Sequence, residues 1–105
     1  MKTLKEYILD AQEQKKAIAH FNVGNSDMLL ALFESSKKVS QEYGSKIPVV
    51  IGVSEGERDA FGVTQFVDYV TILRNEHDYP LFTNADHTYS VERTNEAVDA
   101  GFDMV

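Results

Sequence analysis

An acid and an imidazole stand side by side at the end of an apolar stretch, "PLFTNADH", as Asp86 and His87. A carboxylate can move protons to and from a substrate hydroxyl, and an imidazole nitrogen is a common ligand of divalent metals. The same two residues also fit a second interpretation, in which Asp86 caps a helix beside a structural histidine. Which interpretation holds depends on the elements that position the pair.

Three strand-like apolar segments alternate with helix-like segments along the chain. The strands are predicted at residues 17–23, 47–54 and 79–86, and the first is apolar enough to suggest burial on both faces. Their starts lie roughly 30 residues apart, the length of a βαβ unit, which predicts parallel strands with helices outside. In such folds chemistry gathers at the carboxyl ends of the strands. The polar residues at these ends are Asn22, Ser54, Glu55, Asp86 and His87.

Capping signals divide the helical segments. Caps are predicted at Thr3, Thr64 and Ser90, and helix ends at Gly44 and Gly101. The first helix is expected over residues 4–15, and "EGERDAFG" is expected to be a loop or a short helical turn. Helical spacing predicts core contacts for Leu4, Ile8, Ala11, Leu29, Leu32, Phe33, Val39, Tyr43, Phe66, Val67, Val70 and Leu73.

Alternating βα units fit either a doubly wound sheet or a (β/α)₈ barrel. A complete barrel needs roughly 250 residues, so 105 residues would supply three of its eight units and the start of a fourth. The segment Phe102–Val105 reads as the start of a fourth strand, and a domain boundary inside such a segment is unexpected. We therefore expect residues 1–105 to be one domain fragment, the N-terminal part of a barrel.

Composition excludes several classes of partner. The net charge is −7 and no basic block exists, which argues against nucleic acid and against an anionic membrane. There is no cysteine, so any metal must be bound by His, Asp or Glu. No apolar run approaches about 18 residues, and the charged N-terminus does not fit a signal peptide, so we expect a cytoplasmic protein.

The segments "AIAHFNVGNSDMLLAL", "PVVIGVSEGE" and "NADHTYSVERTNEAVDAGFDMV", in this order and spacing, resemble the class II fructose-bisphosphate aldolases. The resemblance covers nearly the whole chain. It implies a (β/α)₈ barrel and a zinc-dependent lyase, which cleaves a ketose bisphosphate to dihydroxyacetone phosphate and an aldehyde. It also implies a phosphorylated sugar as substrate and a homo-oligomer.

Residue by residue, the resemblance implies that His87 is a zinc ligand and that Asp86 is the proton donor in cleavage. Asn22 and Ser54 would lie near the substrate, although Ser54 with Glu57 also fits a capping box. The family's other two zinc-binding histidines and its glycine-rich phosphate loops would lie beyond residue 105, so we expect the chain alone to be inactive.

One position departs from the family pattern His-Leu-Asp-His-Gly. Thr88 stands where the family has glycine. A positive φ at this position would strain a threonine, so a different loop is expected after the third strand.

The chemistry of carbon–carbon cleavage fits these residues. Cleavage beside a ketone leaves an enediolate whose charge must be stabilised, either through a lysine Schiff base or by a metal. The lysines are Lys2, Lys5, Lys15, Lys16, Lys37, Lys38 and Lys46, none of which is predicted at the carboxyl ends of the strands. The metal route therefore remains. Asp86 would protonate or deprotonate the hydroxyl that becomes the aldehyde, provided that the backbone turns after the strand, because neighbouring strand residues face opposite sides.

Two alternatives stay open. The chain could be a non-catalytic half-barrel that assembles with itself or a partner through its open sheet edges. It could also belong to another metal-dependent barrel enzyme that uses the same Asp-His pair.

Overall fold

A computed structural model describes all 105 residues as three parallel strands and five helices. In chain order the elements are α1 (Leu4–Glu13), β1 (Ala19–Asn22), α2 (Ser26–Tyr43), β2 (Val49–Val53), α3 (Glu55–Phe61), α4 (Val63–His77), β3 (Leu81–Ala85) and α5 (Val91–Ala100). None of these helices is both long and apolar enough to span a bilayer.

The sheet runs in the order β1-β2-β3, as the βαβ spacing predicts. Asn22 pairs with Gly52, and Gly52 pairs with Asn84, so the three strands end at the same level. Beyond α5 the chain returns to the sheet, where Met104 forms a parallel bridge with Asn84. This bridge agrees with the predicted start of a fourth strand.

The two faces of the sheet are covered differently. Alternate residues of β2 and β3, among them Ile51 and Leu81, join the main core with α2 and α4. On the other face, Val50 and Phe82 pack with Leu4 of α1, near the amino ends of the strands. Helix α1 therefore covers only the part of this face near the amino ends of the strands, and the carboxyl ends stay uncovered.

Most predicted helix ends are confirmed. Thr3 forms a capping box with Glu6, Ser90 caps α5, and Gly44 and Gly101 end their helices in the left-handed conformation that glycine adopts without strain. The cap predicted at Thr64 is wrong. Helix α4 begins two residues earlier than such a cap would allow, at Val63 after Gly62, and has no side-chain cap.

The predicted burial of β1 on both faces is also wrong. The strand is shorter than predicted, and all four of its residues are exposed because β2 is its only neighbour. The expected core positions Ile8, Val39 and Tyr43 are exposed as well. Their apolar side chains follow helical spacing, but the rest of the chain does not bury them.

Candidate active site

The strand β3 ends at Ala85, and the backbone then turns. The amide of Asp86 still donates to the carbonyl of Val53, at 2.9 Å, which fixes the first residue beyond the strand. His87 adopts a left-handed conformation with φ of 57°. Because of this turn Asp86 and His87 face the same side, and the imidazole Nε2 lies 3.7 Å from the carboxylate Oδ1 of Asp86.

Both side chains are accessible to a ligand. The side chain of His87 is 72% exposed, and that of Asp86 is 25% exposed. The second carboxylate oxygen of Asp86 accepts a hydrogen bond from the side-chain amide of Asn22, at 3.0 Å. The structure thus brings together three of the four residues singled out in the sequence, from β1 and from the turn after β3.

A glycine in β2 makes this approach possible. Strands β1 and β3 do not pair, since β2 lies between them. A Cβ on Gly52 would lie 3.4 Å from Nδ2 of Asn22, the amide that donates to Asp86. A second bridge crosses the same glycine, in which the amide Nδ2 of Asn84 lies 3.1 Å from Nε2 of His20. A Cβ on Gly52 would lie 2.4 Å from the His20 ring, so the bridge requires glycine here.

Ser54, the fourth residue, is the N-cap of α3. Its hydroxyl accepts from the amide of Glu57, and its own amide donates to the Glu57 carboxylate at 2.8 Å, which completes a capping box. The backbone hydrogen bond from Ser54 is the main reason why the pKa of Glu57 lies below its ordinary value. The negative charge of Asp86 opposes this shift, so the two carboxylates interact. The structure shows Ser54 in its capping role.

Thr88 does not adopt the positive φ that would strain it. The positive φ falls on His87. The Thr88 hydroxyl donates to the carbonyl of Ala85, at 3.3 Å, and accepts from Nη2 of Arg58, at 3.1 Å. The loop is therefore held by the side chain that glycine would lack.

The side chains at this site are of types that bind zinc, but they are too few to form a complete zinc site. An accessible imidazole beside a carboxylate is a suitable partial ligand set for zinc. Catalytic zinc sites use three protein ligands, however, and no three His, Asp or Glu side chains of this chain converge on one point. His87 could supply one ligand of such a site.

Sequence reasoning missed Gly52 and Arg58. The glycine in "VVIGV" was a usable signal, because glycine inside a strand often marks a close approach of other groups. Nothing in the sequence around Arg58 distinguishes it from an exposed helical arginine.

Comparison with known proteins identifies the family. A family model described as fructose-bisphosphate aldolase class-II matches residues 2–105. The fructose-bisphosphate aldolase of Staphylococcus aureus is 33% identical over 106 residues, which cover 98% of this chain and 35% of that protein. The chain thus spans about a third of the length of the curated relatives that it matches.

Solved structures agree on the fold. The YdjI aldolase from Escherichia coli K12 superposes with a TM-score of 0.78 at 25% identity, over 96% of this chain and 37% of that one. The fructose-bisphosphate aldolase of Campylobacter jejuni gives a TM-score of 0.72 at 22% identity, over 92% of this chain and 29% of that one. These matches confirm the predicted fold class, an α/β fold that supplies the N-terminal units of an incomplete barrel. With its parallel βα units and a family match over almost its whole length, the chain belongs to the class II fructose-bisphosphate aldolase family.

Proposed function

We propose that these residues form part of the active site of an aldolase that reversibly cleaves a ketose bisphosphate, fructose 1,6-bisphosphate above all. The products are dihydroxyacetone phosphate and an aldehyde. The observation that carries the proposal is the convergence of Asp86 and His87 at the carboxyl end of β3, with Asn22 bound to Asp86. Family membership supports the same reaction type.

Asp86 moves the proton in this proposal. A hydroxyl that becomes an aldehyde must lose its proton, so in cleavage the carboxylate accepts the proton, in contrast to the donor role expected from the resemblance, and it returns the proton in condensation. The hydrogen bond from Asn22 occupies one carboxylate oxygen and leaves the other, on the His87 side, for the substrate. Asn22 thereby orients the acid, and we also expect Asn22 and Ser54 to contact the substrate.

His87 holds the cofactor through one imidazole nitrogen. Zinc, when bound, supplies positive charge that stabilises the developing negative charge on the substrate oxygens. The exposed imidazole beside Asp86 supports this role, and the remaining ligands would come from outside residues 1–105. We expect the protein to act as a homo-oligomer in the cytoplasm.

The test needs a closed barrel. We define the completed barrel as residues 1–105 joined to the part of the S. aureus relative that lies beyond the matched region. The completed barrel should cleave fructose 1,6-bisphosphate when loaded with zinc, whereas the 105-residue chain alone should be inert. Tagatose 1,6-bisphosphate is assayed in parallel to identify the preferred epimer. A folded, zinc-loaded completed barrel that cleaves neither sugar would contradict the proposal, and an active 105-residue chain would contradict the need for the missing part.

The exposure of β1 favours one alternative, a non-catalytic half-barrel that assembles through its free edge. All of β1 is exposed, and Phe21 presents an apolar side chain that is 47% accessible. Exposed strand edges pair readily with other chains. Analytical ultracentrifugation decides between the two. A stable assembly of the 105-residue chain, together with an inactive completed barrel, would favour the half-barrel.

A further inference from the structure

Arg58 is the most deeply buried charged residue of the chain. It lies in α3, and its side chain is 1% exposed. Burying a guanidinium is costly unless its donors find acceptors. The position of these acceptors therefore indicates what the residue does.

The acceptors lie at the end of β2 and in the turn after β3. Nη1 donates to the carbonyl of Val53 at 2.9 Å and to the carbonyl of Asp86 at 3.3 Å. Nη2 donates to the Thr88 hydroxyl at 3.1 Å, and Glu55 lies 3.9 Å away. Arg58 thus contacts the residues on both sides of His87 without contacting His87 itself.

These contacts hold the backbone around His87, the residue whose conformation is least favourable. The left-handed conformation of His87 is disfavoured for residues other than glycine, because Cβ crowds the backbone. The peptide before His87 is held by Arg58 at the Asp86 carbonyl, and the residue after it is held at the Thr88 hydroxyl. An unsupported turn would relax to an extended or right-handed conformation and would point the imidazole away from Asp86.

We propose that Arg58, acting through Thr88 and the Asp86 carbonyl, is the positioning residue that keeps His87 and Asp86 on the same side of the turn. The inference rests on the proposed function for its catalytic meaning, but the conformation that it explains is a property of the chain itself. Lysine could not replace Arg58, because a single ammonium lacks the fork that reaches both partners.

The experiment measures the conformation of His87 by NMR in the 105-residue chain. At positive φ the amide and Hα protons of one residue approach closely, so wild-type His87 should give a strong intraresidue NOE. Arg58→Met and Thr88→Val should weaken this NOE, and Arg58→Lys should not restore it. Arg74→Met is the matched control, since Arg74 supports the opposite end of β3 by donating to the Leu81 carbonyl at 2.6 Å. It should lower stability and leave the His87 NOE unchanged.

Each outcome either supports or overturns the positioning role of Arg58. An undiminished NOE in Thr88→Val, or an equal loss in Arg74→Met, would overturn the positioning role, as would a weak NOE in the wild type. If Arg58→Met does not fold, Thr88→Val and Arg58→Lys decide instead. In the completed barrel, Arg58→Met should also weaken zinc binding about 10–100-fold, a loss typical of removing a group that orients a metal ligand. Because the NOE needs neither zinc nor turnover, an inactive completed barrel would contradict the proposed function alone.

Discussion

Replacement of Gly52 by alanine should disturb the geometry of the site and leave the stability of the fold nearly unchanged. The new Cβ would lie 2.4 Å from Cε1 and Nε2 of His20, whereas heavy atoms in contact keep about 3.5–4.0 Å apart. The imidazole must therefore withdraw by roughly 1 Å or more. Its 3.1 Å contact with Asn84 cannot absorb that displacement and should break.

The free energy of unfolding should change little. Loss of one hydrogen bond between exposed side chains costs about 0.5–1.5 kcal/mol. Alanine regains about 0.5–1 kcal/mol relative to glycine in a strand, and Gly52 has no positive φ that alanine would strain. The net change should stay within about 1 kcal/mol, which corresponds to a shift in Tm of less than roughly 8 °C.

Two measurements check this prediction. Thermal unfolding followed by circular dichroism gives Tm, and NOEs between the His20 ring and the Asn84 side-chain amide report on the bridge. Gly56→Ala is the matched control, because no atom lies within 4 Å of the Cβ that it would add. It should keep the NOEs and raise Tm slightly. Wild-type NOEs in Gly52→Ala would refute the idea that this glycine makes room for the contacts between β1 and β3.

Four further changes probe individual groups. Asp86→Asn keeps the size and the bond to Asn22 but removes the base, so kcat of the completed barrel should fall about 10²–10⁴-fold in steady-state assays, with zinc content unchanged. His87→Ala should abolish stoichiometric zinc binding and nearly all activity; zinc at wild-type stoichiometry, measured by atomic emission, would rule out the ligand role. Tyr79→Phe removes a buried hydroxyl that is hydrogen-bonded to Ser40, Ser36 and Ile47. The free energy of unfolding, measured in urea, should fall by about 1–3 kcal/mol. Tyr69→Phe is the control and should lower it less, because the Tyr69 hydroxyl makes no such bonds. The pKa of Glu57 is lowered from 4.5, so its contribution to stability is full above pH 4.5 and is lost as the pH falls through the folded-state value; Glu57→Gln should therefore flatten acid unfolding in that range.

Local chemistry explains what the sequence could predict. Thr3 and Ser90 cap helices through bonds to residues three positions away, and Gly44 ends a helix because its own φ is positive. Such features need no knowledge of the rest of the fold. The parallel sheet follows from the spacing of the strands, which is also a property of the chain alone.

Contacts between distant segments explain what the sequence could not predict. Val39 fits the apolar stripe of α2 and yet is exposed, because periodicity shows which side a residue faces but not whether anything covers it. Arg58 lies 30 positions from Thr88, and only the folded chain reveals their bond. The sequence indicated only that Thr88 would disfavour a positive φ, and the folded chain places the positive φ at His87.

The charges around the turn indicate which sign of ligand charge this part of the chain favours. Asp86 and Glu57 are close enough for the charge of Asp86 to raise the pKa of Glu57, so this rim carries interacting negative charge. The guanidinium of Arg58 is buried and donates to carbonyls and a hydroxyl inside the loop, and that of Arg93 pairs with Glu55 and Asp59, so both are already engaged by the protein. The chain as a whole carries a net charge of −7, which repels an anion at a distance as well. These residues therefore favour a cation, and a bisphosphate can be held here only by positive charge that other parts of the site supply.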